Sequence, residues 1–320
     1  MNRTNKEISV VIPLYNEEAG LPELYRRLTA ALKQVTSDYE LIFVNDGSKD
    51  TTLALLIGLS NADKNVKYIS FSRNFGHQVA ISSGLDFSKG NAVVIMDGDL
   101  QDPPELIPEL YKKYMEGYRV VSAKRKSRKG ETLYKKTTAT IFYRLLKGIT
   151  SIDIPLDTGD FKLLDKKVVE QLKQMPEKSK FIRGQVAWLG FKQAFVEFER
   201  DARKYGNTDF TTKKMLRFAM DGITGFSDFP LRLASWLGLI VSTFAFIVII
   251  YALYTKFVFK AAITGWTSIV ISTMFIGGIQ LLTIGIIGEY INRINTETRN
   301  RPLYIIEDSN TEETENEGSN

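Results

Sequence analysis

Residues 8–99 hold four short apolar runs, each stopped by a polar cluster and each separated from the next by a helical stretch. The runs sit in "ISVVIPLYNEE", "YELIFVNDGSKDTT", "VKYISFSRNFG" and "NAVVIMDGD". Between them, "LPELYRRLTAALKQV", "LALLIGLSN" and "HQVAISSGLDFS" carry helical periodicity. An apolar run without polar alternation reads as a strand buried on both faces. Strands that alternate with helices build βαβ units, so the chain to about residue 164 is expected to be α/β with a mostly parallel sheet. Such sheets bind ligands beyond the carboxyl ends of their strands. The clusters Asn16-Glu17-Glu18, Asn45-Asp46-Gly47-Ser48, Arg73-Asn74 and Asp97-Gly98-Asp99 should therefore converge on one edge.

Several chemistries are excluded. There is no cysteine among the 320 residues, which removes disulfides, zinc-thiolate sites and cysteine nucleophiles. A Ser-His-Asp triad could only use His77, the one histidine. No Gly-x-Gly-x-x-Gly follows the first strand and no Walker A motif is present, so a phosphate would be handled by metal and basic side chains. The net charge of +5 is mild and does not call for nucleic acid.

"VVIMDGDLQDPPE" places Asp97 and Asp99 one residue apart where the fourth strand stops. Like charges that close raise each other's pKa unless a cation lies between them. The pair is either a solvated turn, since Asp, Gly and Pro are turn residues, or a divalent-metal site with oxygen ligands.

The C-terminal third changes character. "LRLASWLGLIVSTFAFIVIIYALY" contains Arg232 as its only charge, and residues 266–287 contain none. Each run is about the ~20 residues a membrane-spanning helix needs. A transmembrane hairpin is expected, with spans at about 231–254 and 266–288. Lys213, Lys214, Arg217 and Arg232 precede it, Arg293, Arg299 and Arg301 follow it, and the connecting loop holds only Lys256 and Lys260. That bias places both ends in the cytoplasm. "ETLYKKTTATIFYRLLKG" and "TTKKMLRFAMDGITGF" read as basic amphipathic helices, which lie in the headgroup plane or dock on the domain core. The expected division is a catalytic domain at 1–205, a juxtamembrane amphipathic helix at 206–230, two spans within 231–290 and a C-terminal segment at 291–320. That segment closes on "EDSNTEETENEGSN", expected to be a disordered acidic tail.

"VVIPLYNEE", "FVNDGSKDTT", "SFSRNFG", "MDGDLQDPPE" and "DTGDFKLLD", in that order, resemble the family 2 glycosyltransferases of the GT-A fold. With "GNTDFTTKKMLRFAMDGITGFSDFPLR", the two apolar runs and "IGEYINRINTETRNRPLY", the resemblance narrows to the polyprenyl-phosphate glycosyltransferases. These include the bactoprenol glucosyltransferases, with dolichol-phosphate mannose synthase more distant. It covers nearly the whole chain except the acidic tail.

The resemblance implies a site. Mg²⁺ or Mn²⁺ would hold the diphosphate of a nucleotide sugar, with Asp99 and Gln101 as ligands and Asp97 facing the metal or the ribose and sugar. Pro13, Tyr15, Glu17 and Asp46 match positions that hold nucleobase and ribose, and Arg73 lies in the matching loop near the donor. Asp160 matches a position often treated as the base, with Asp157 the neighbouring candidate; the alternative is that it orients sugar or acceptor. Arg125, Lys126 and Arg128 would meet the acceptor phosphate, and Arg200 and Arg203 the donor diphosphate. His77 is expected to be structural or peripheral.

The implied function is an inverting, metal-dependent transfer of one sugar, glucose or N-acetylglucosamine, from a UDP-sugar to undecaprenyl phosphate. It would take place at the cytoplasmic face of the cell membrane and serve a cell-envelope glycan. A separate flippase is implied, and a homo-oligomer is among the assemblies relatives adopt. The rivals are a processive polysaccharide synthase and a non-catalytic scaffold. The former carries Gln-x-x-Arg-Trp, whereas "QVAWL" at Gln185 lacks the arginine.

Overall fold

The structure is a computed structural model and describes residues 6–126, 158–199, 229–258 and 265–311. The chain divides into two compact units. The first includes residues 6–126, 158–199 and 301–311, and the second includes 229–258 and 265–300.

In the first unit, β1 (Ile8–Leu14), β2 (Tyr39–Asn45), β3 (Val66–Phe71) and β4 (Ala92–Ile95) alternate with α1 (Leu21–Leu32), α2 (Thr52–Ala62) and α3 (His77–Phe87). Then come α4 (Ile107–Met115), β5 (Val120–Arg125), β6 (Thr158–Asp165), α5 (Lys166–Lys173), α6 (Ile182–Trp188), β7 (Gln193–Phe198) and, near the C-terminus, β8 (Ile306–Ser309). The eight strands among the described residues form one sheet in the order β7-β5-β6-β4-β1-β2-β3-β8. The expected parallel pairing holds from β3 through β2 and β1 to β4. The sheet as a whole is mixed, because β6 runs antiparallel between β4 and β5. Strand β6 therefore starts at the edge where β4 and β5 finish.

The pleat divides the core. Ile8, Val10, Ile12 and Leu14 point to one face of β1 and Val11 to the other. Helix α1 covers the first face with Leu21, Leu24, Leu28 and Leu32, spaced at helical period and fully buried. Each such leucine contributes about 1.5–3 kcal/mol by leaving water. Helix α3 covers the second face so closely that a Cβ on Gly84 would lie 2.2 Å from Val11 Cγ1. Strands β1 to β4 thus have buried residues on both faces.

The first residues of the expected disordered tail are ordered. Glu307, Asp308 and Ser309 belong to β8, which pairs antiparallel with β3. Asn310 Oδ1 accepts from the Tyr68 amide, Asn310 Nδ2 donates to the Val66 carbonyl, and Tyr68 Oη donates to Asp308. Polar side chains suit this strand because it lies at an edge, where half of it faces solvent. Just before it, Tyr304 stacks on Phe71 at 5.1 Å and donates its hydroxyl to Asp86.

The second unit contains two long helices, α7 (Phe229–Val258) and α8 (Trp266–Thr298). Among the described residues one helix is long and apolar enough to cross a membrane, Ser272–Thr298 within α8, with mean hydropathy 1.6. The apolar stretch of α7, Leu233–Val248, is shorter, so the second span of the expected hairpin does not meet the same measure. Both expected interfacial helices, together with Arg128, Asp157, Arg200 and Arg203, lie outside the described residues.

Candidate active site

The loops after β1 and β2 are laced to each other. Ser48 Oγ accepts from the Asn16 amide, and Asn16 Oδ1 accepts from the Lys49 amide. The Glu17 amide donates to Thr52 Oγ1, and Thr51 donates to Glu18. Asn16 adopts φ 55°, a conformation asparagine tolerates better than most residues. Pro13 is buried near the end of β1, and Tyr15, 40% exposed, follows it. Asp46 is buried, and its carboxylate accepts from the Phe75 and Gly76 amides, which fixes the loop after β3. Burial pushes that carboxyl up, against the pull of those amides. Gly47, at φ +64°, lies where a Cβ would approach the Arg73 carbonyl carbon to 2.4 Å. Arg73 itself donates to the Asn74 carbonyl and lies over the Phe75 ring at 3.9 Å.

Beyond β4 the chain turns sharply. The Gln101 amide donates to Asp99 Oδ1 at 3.1 Å, and Leu100 takes φ 59°. Non-glycine residues rarely adopt that conformation, and such strain concentrates at functional sites. Asp97, Asp99 and Gln101 are all half-buried there. Asp97 Oδ1 is buried and accepts no hydrogen bond.

Across the cleft, β6 begins with Thr158, Gly159 and Asp160. Ile95 pairs with Lys162, so two residues further on Asp97 comes opposite Asp160. His77, the first residue of α3, stands between them, with Nε2 3.3 Å from Asp97 Oδ1 and 3.4 Å from Asp160 Oδ2. Asp160 is 4% exposed and held from two helices, α3 and α6. Arg183 on α6 donates Nε to Oδ1 at 2.8 Å and Nη2 to Oδ2 at 3.1 Å. Gln78 on α3 donates to Oδ2 at 3.1 Å, while its own Oε1 accepts from the Ile182 amide at 3.0 Å.

These neighbours set the charges. Burial alone would raise Asp160, but Arg183 and the His77 hydrogen bond take it well below the usual carboxylate range. Burial works against a charged His77, yet Asp97 and Asp160 outweigh it and push the ring up to about 9. The ring is closely surrounded while its side chain keeps 45% of its surface open to the cleft. Asp97 is raised by burial, and His77 partly restrains it. Lys162, buried beside this group, is pushed down to about 8 by burial despite the attraction of Asp160.

Arg125, at the end of β5, reaches the same edge. Its Nη2 lies 3.7 Å from buried Asp102 and packs over Gly159, where a Cβ would come within 3.0 Å. Lys126 is exposed, and its amide donates to the Phe198 carbonyl. The structure therefore gathers Asp97, Asp99, Gln101, Asp160 and Arg125 at one edge, beside the strand ends that carry Pro13, Tyr15, Glu17 and Asp46. His77 is at the centre of the cluster, not at its periphery. Gln78, Arg183 and Lys162 belong to the cluster too; Lys162 lies within "DTGDFKLLD", and no motif quoted above marks Gln78 or Arg183.

Residues 9–173 match the family model described as glycosyl transferase family 2. A Bacillus subtilis protein described as an uncharacterized glycosyltransferase is 52% identical over 303 residues, covering 95% of this chain and 94% of that one. A prophage bactoprenol glucosyl transferase homolog of Escherichia coli is 41% identical, covering 94% of this chain and 98% of its own. The bactoprenol glucosyl transferase of Shigella phage SfII is 40% identical, with 95% and 98% covered.

Proposed function

The chain belongs to glycosyl transferase family 2, and from that we propose that it moves one sugar from a UDP-sugar to undecaprenyl phosphate, with inversion at the anomeric carbon. The observation that carries this is the Asp97–Gln101 turn facing Asp160 at the C-terminal edge of a nucleotide-type sheet. The names of the phage and prophage relatives support a bactoprenol carrier as acceptor. Glucose or N-acetylglucosamine is the sugar proposed.

An acceptor phosphate oxygen attacks the anomeric carbon from the face opposite the diphosphate. The bond from that carbon to the diphosphate oxygen breaks, and its electrons leave with UDP. A phosphate monoester is already anionic near neutral pH, its second pKa being about 6, so little deprotonation is needed. That fits Asp160, which holds protons poorly beside Arg183. Its role in this reading is to orient, not to act as base. Asp157 remains the neighbouring candidate. Arg125, Lys126 and Arg128 are proposed to receive the acceptor phosphate, and Arg200 and Arg203 the donor diphosphate. Pro13, Tyr15, Glu17, Asp46 and Arg73 are proposed to hold the nucleoside end.

The turn fits a divalent cation. Asp97 Oδ1 is a buried carboxylate oxygen that accepts no hydrogen bond, and Asp99 and Gln101 offer further oxygens beside it. Among the described residues no three His, Cys, Asp or Glu side chains form a metal cage. This suits Mg²⁺ or Mn²⁺, which can be held by one or two carboxylates plus substrate phosphates and water. Once bound, the ion would stabilise charge on the departing diphosphate.

Helices α7 and α8 are proposed to span the membrane as a hairpin, with the catalytic unit cytoplasmic and a separate flippase moving the product outward. A processive polymerase fits less well. Gln185 is buried and donates to Glu177, and the arginine of the polymerase motif is missing from "QVAWL".

The test is transfer of labelled sugar from UDP-glucose or UDP-N-acetylglucosamine into a lipid extract by the purified chain with undecaprenyl phosphate and Mg²⁺ or Mn²⁺. Label should enter the lipid phase with one donor, and Asp99→Ala should lower the rate by about 100-fold, as loss of a charge-stabilising group does. No label with any donor tried would overturn the reading.

A further inference from the structure

Asp97 is a half-buried carboxylate of the turn, and its buried Oδ1 has the ring of His77 beside it, at 3.3 Å. The same nitrogen lies 3.4 Å from Asp160, so the position of Asp160 sets where that ring can stand. Asp160 in turn is held in a fork. Arg183 donates two parallel hydrogen bonds to its two oxygens, at 2.8 and 3.1 Å. A paired contact of this kind fixes orientation as well as distance, which a lysine in the same place would not do. Gln78 closes the frame, because it donates to Asp160 and accepts from the amide of Ile182, the residue before Arg183. Helices α3 and α6, strand β6 and the turn after β4 thus meet through side chains in series.

We propose that Arg183 is a positioning residue for the reaction. By clamping Asp160 it holds the His77 ring against Asp97, and so sets the orientation of the turn that receives the donor diphosphate. This deepens the glycosyltransferase reading and rests on it. Arg183 acts through Asp160 and His77 and is assigned no contact with substrate.

The chain has one histidine, so a protein labelled at histidine ¹³Cε1 gives one imidazole signal, that of His77. The experiment compares wild type, Arg183→Gln and Arg183→Lys in detergent, reading that signal in the absence of metal and nucleotide and then the transfer kinetics. Arg183→Gln should shift the signal, raise KM for the sugar nucleotide by tenfold or more and lower kcat less. Arg183→Lys keeps the charge but not the fork, and should fall between the two on both readouts. A signal unmoved in Arg183→Gln overturns the proposal, whatever the activity. So does a moved signal with unchanged kinetics. If Arg183→Gln does not fold, Arg183→Lys and Gln78→Met carry the same two readouts, and wild-type behaviour in both overturns it. Failure of the wild type to transfer sugar would sink the functional reading instead, and the histidine signal would still report whether the clamp holds the ring.

Discussion

Gly47 shows how little room the cleft leaves at single positions. Its φ of +64° is available to glycine at low cost, and an added Cβ would meet the backbone of the loop after β3. Gly47→Ala should lose about 2 kcal/mol or more, since left-handed strain alone costs ~1–2. Urea unfolding of the solubilised chain measures it. Asp160 is as constrained by charge as Gly47 is by space. Asp160→Asn would leave Arg183 without its carboxylate, and should destabilise by roughly 2–4 kcal/mol, discounted because Arg183 is 30% exposed. The same unfolding experiment decides it, and a loss under about 1 kcal/mol, the ceiling for a solvated pair, would mean the contact is screened by water. At this scale the sequence drew attention to Asp97 and Asp99, because a pair of aspartates ending an apolar run is a local pattern, while Gln101 came in through the family resemblance. Residues 77, 78, 160 and 183 are joined only by the β4–β6 register and by two helices from different parts of the chain. No spacing in the sequence records that meeting.

Among the elements, β1 to β4 were readable from apolar runs and the helices between them. Strand β6 entered the reading only as the motif "DTGDFKLLD", and its antiparallel direction depends on pairing with β4 and β5, which no local pattern records. Strand β8 was hidden for a different reason. "IEDS" has the composition of a tail, and only the free edge of β3 makes a strand of it. Its attachment can be tested at Tyr304, which stacks on Phe71 and bonds Asp86. Tyr304→Ala should cost about 2–4 kcal/mol, on the scale of large aromatic truncations. Tyr304→Phe removes only the hydrogen bond and should cost about 1 kcal/mol. Equal losses in the two variants would show that the stacking contributes nothing.

For the molecule as a whole, buried Lys162 ties stability to pH. Its folded pKa is about 8, against 10.5 for an unperturbed lysine. Between those values the unfolded chain binds more protons, so this group makes stability rise with pH. The slope is at most about 1.4 kcal/mol per pH unit. His77 runs the opposite way: its contribution is complete below 6.5 and fades as pH climbs through about 9. Comparing wild type with Lys162→Met in urea between pH ~8 and ~10 isolates the lysine. The variant should be the more stable near the lower end of that range, and the gap should close as pH rises. The long apolar runs made two helices expected, but α7 and α8 differ in how far their apolar stretches extend.

The chain leaves the sheet after Arg125 and re-enters at Thr158, and Lys124 and Thr158 are paired neighbours in the ladder. The two ends of that excursion are therefore held side by side whatever lies between them. Doubling the length of such a loop costs only about 0.6 kcal/mol. Strands β1 to β4 come earlier in the chain and pair with one another without it. A replacement of any length that joins Arg125 to Thr158 would therefore meet the same fixed junction in the sheet.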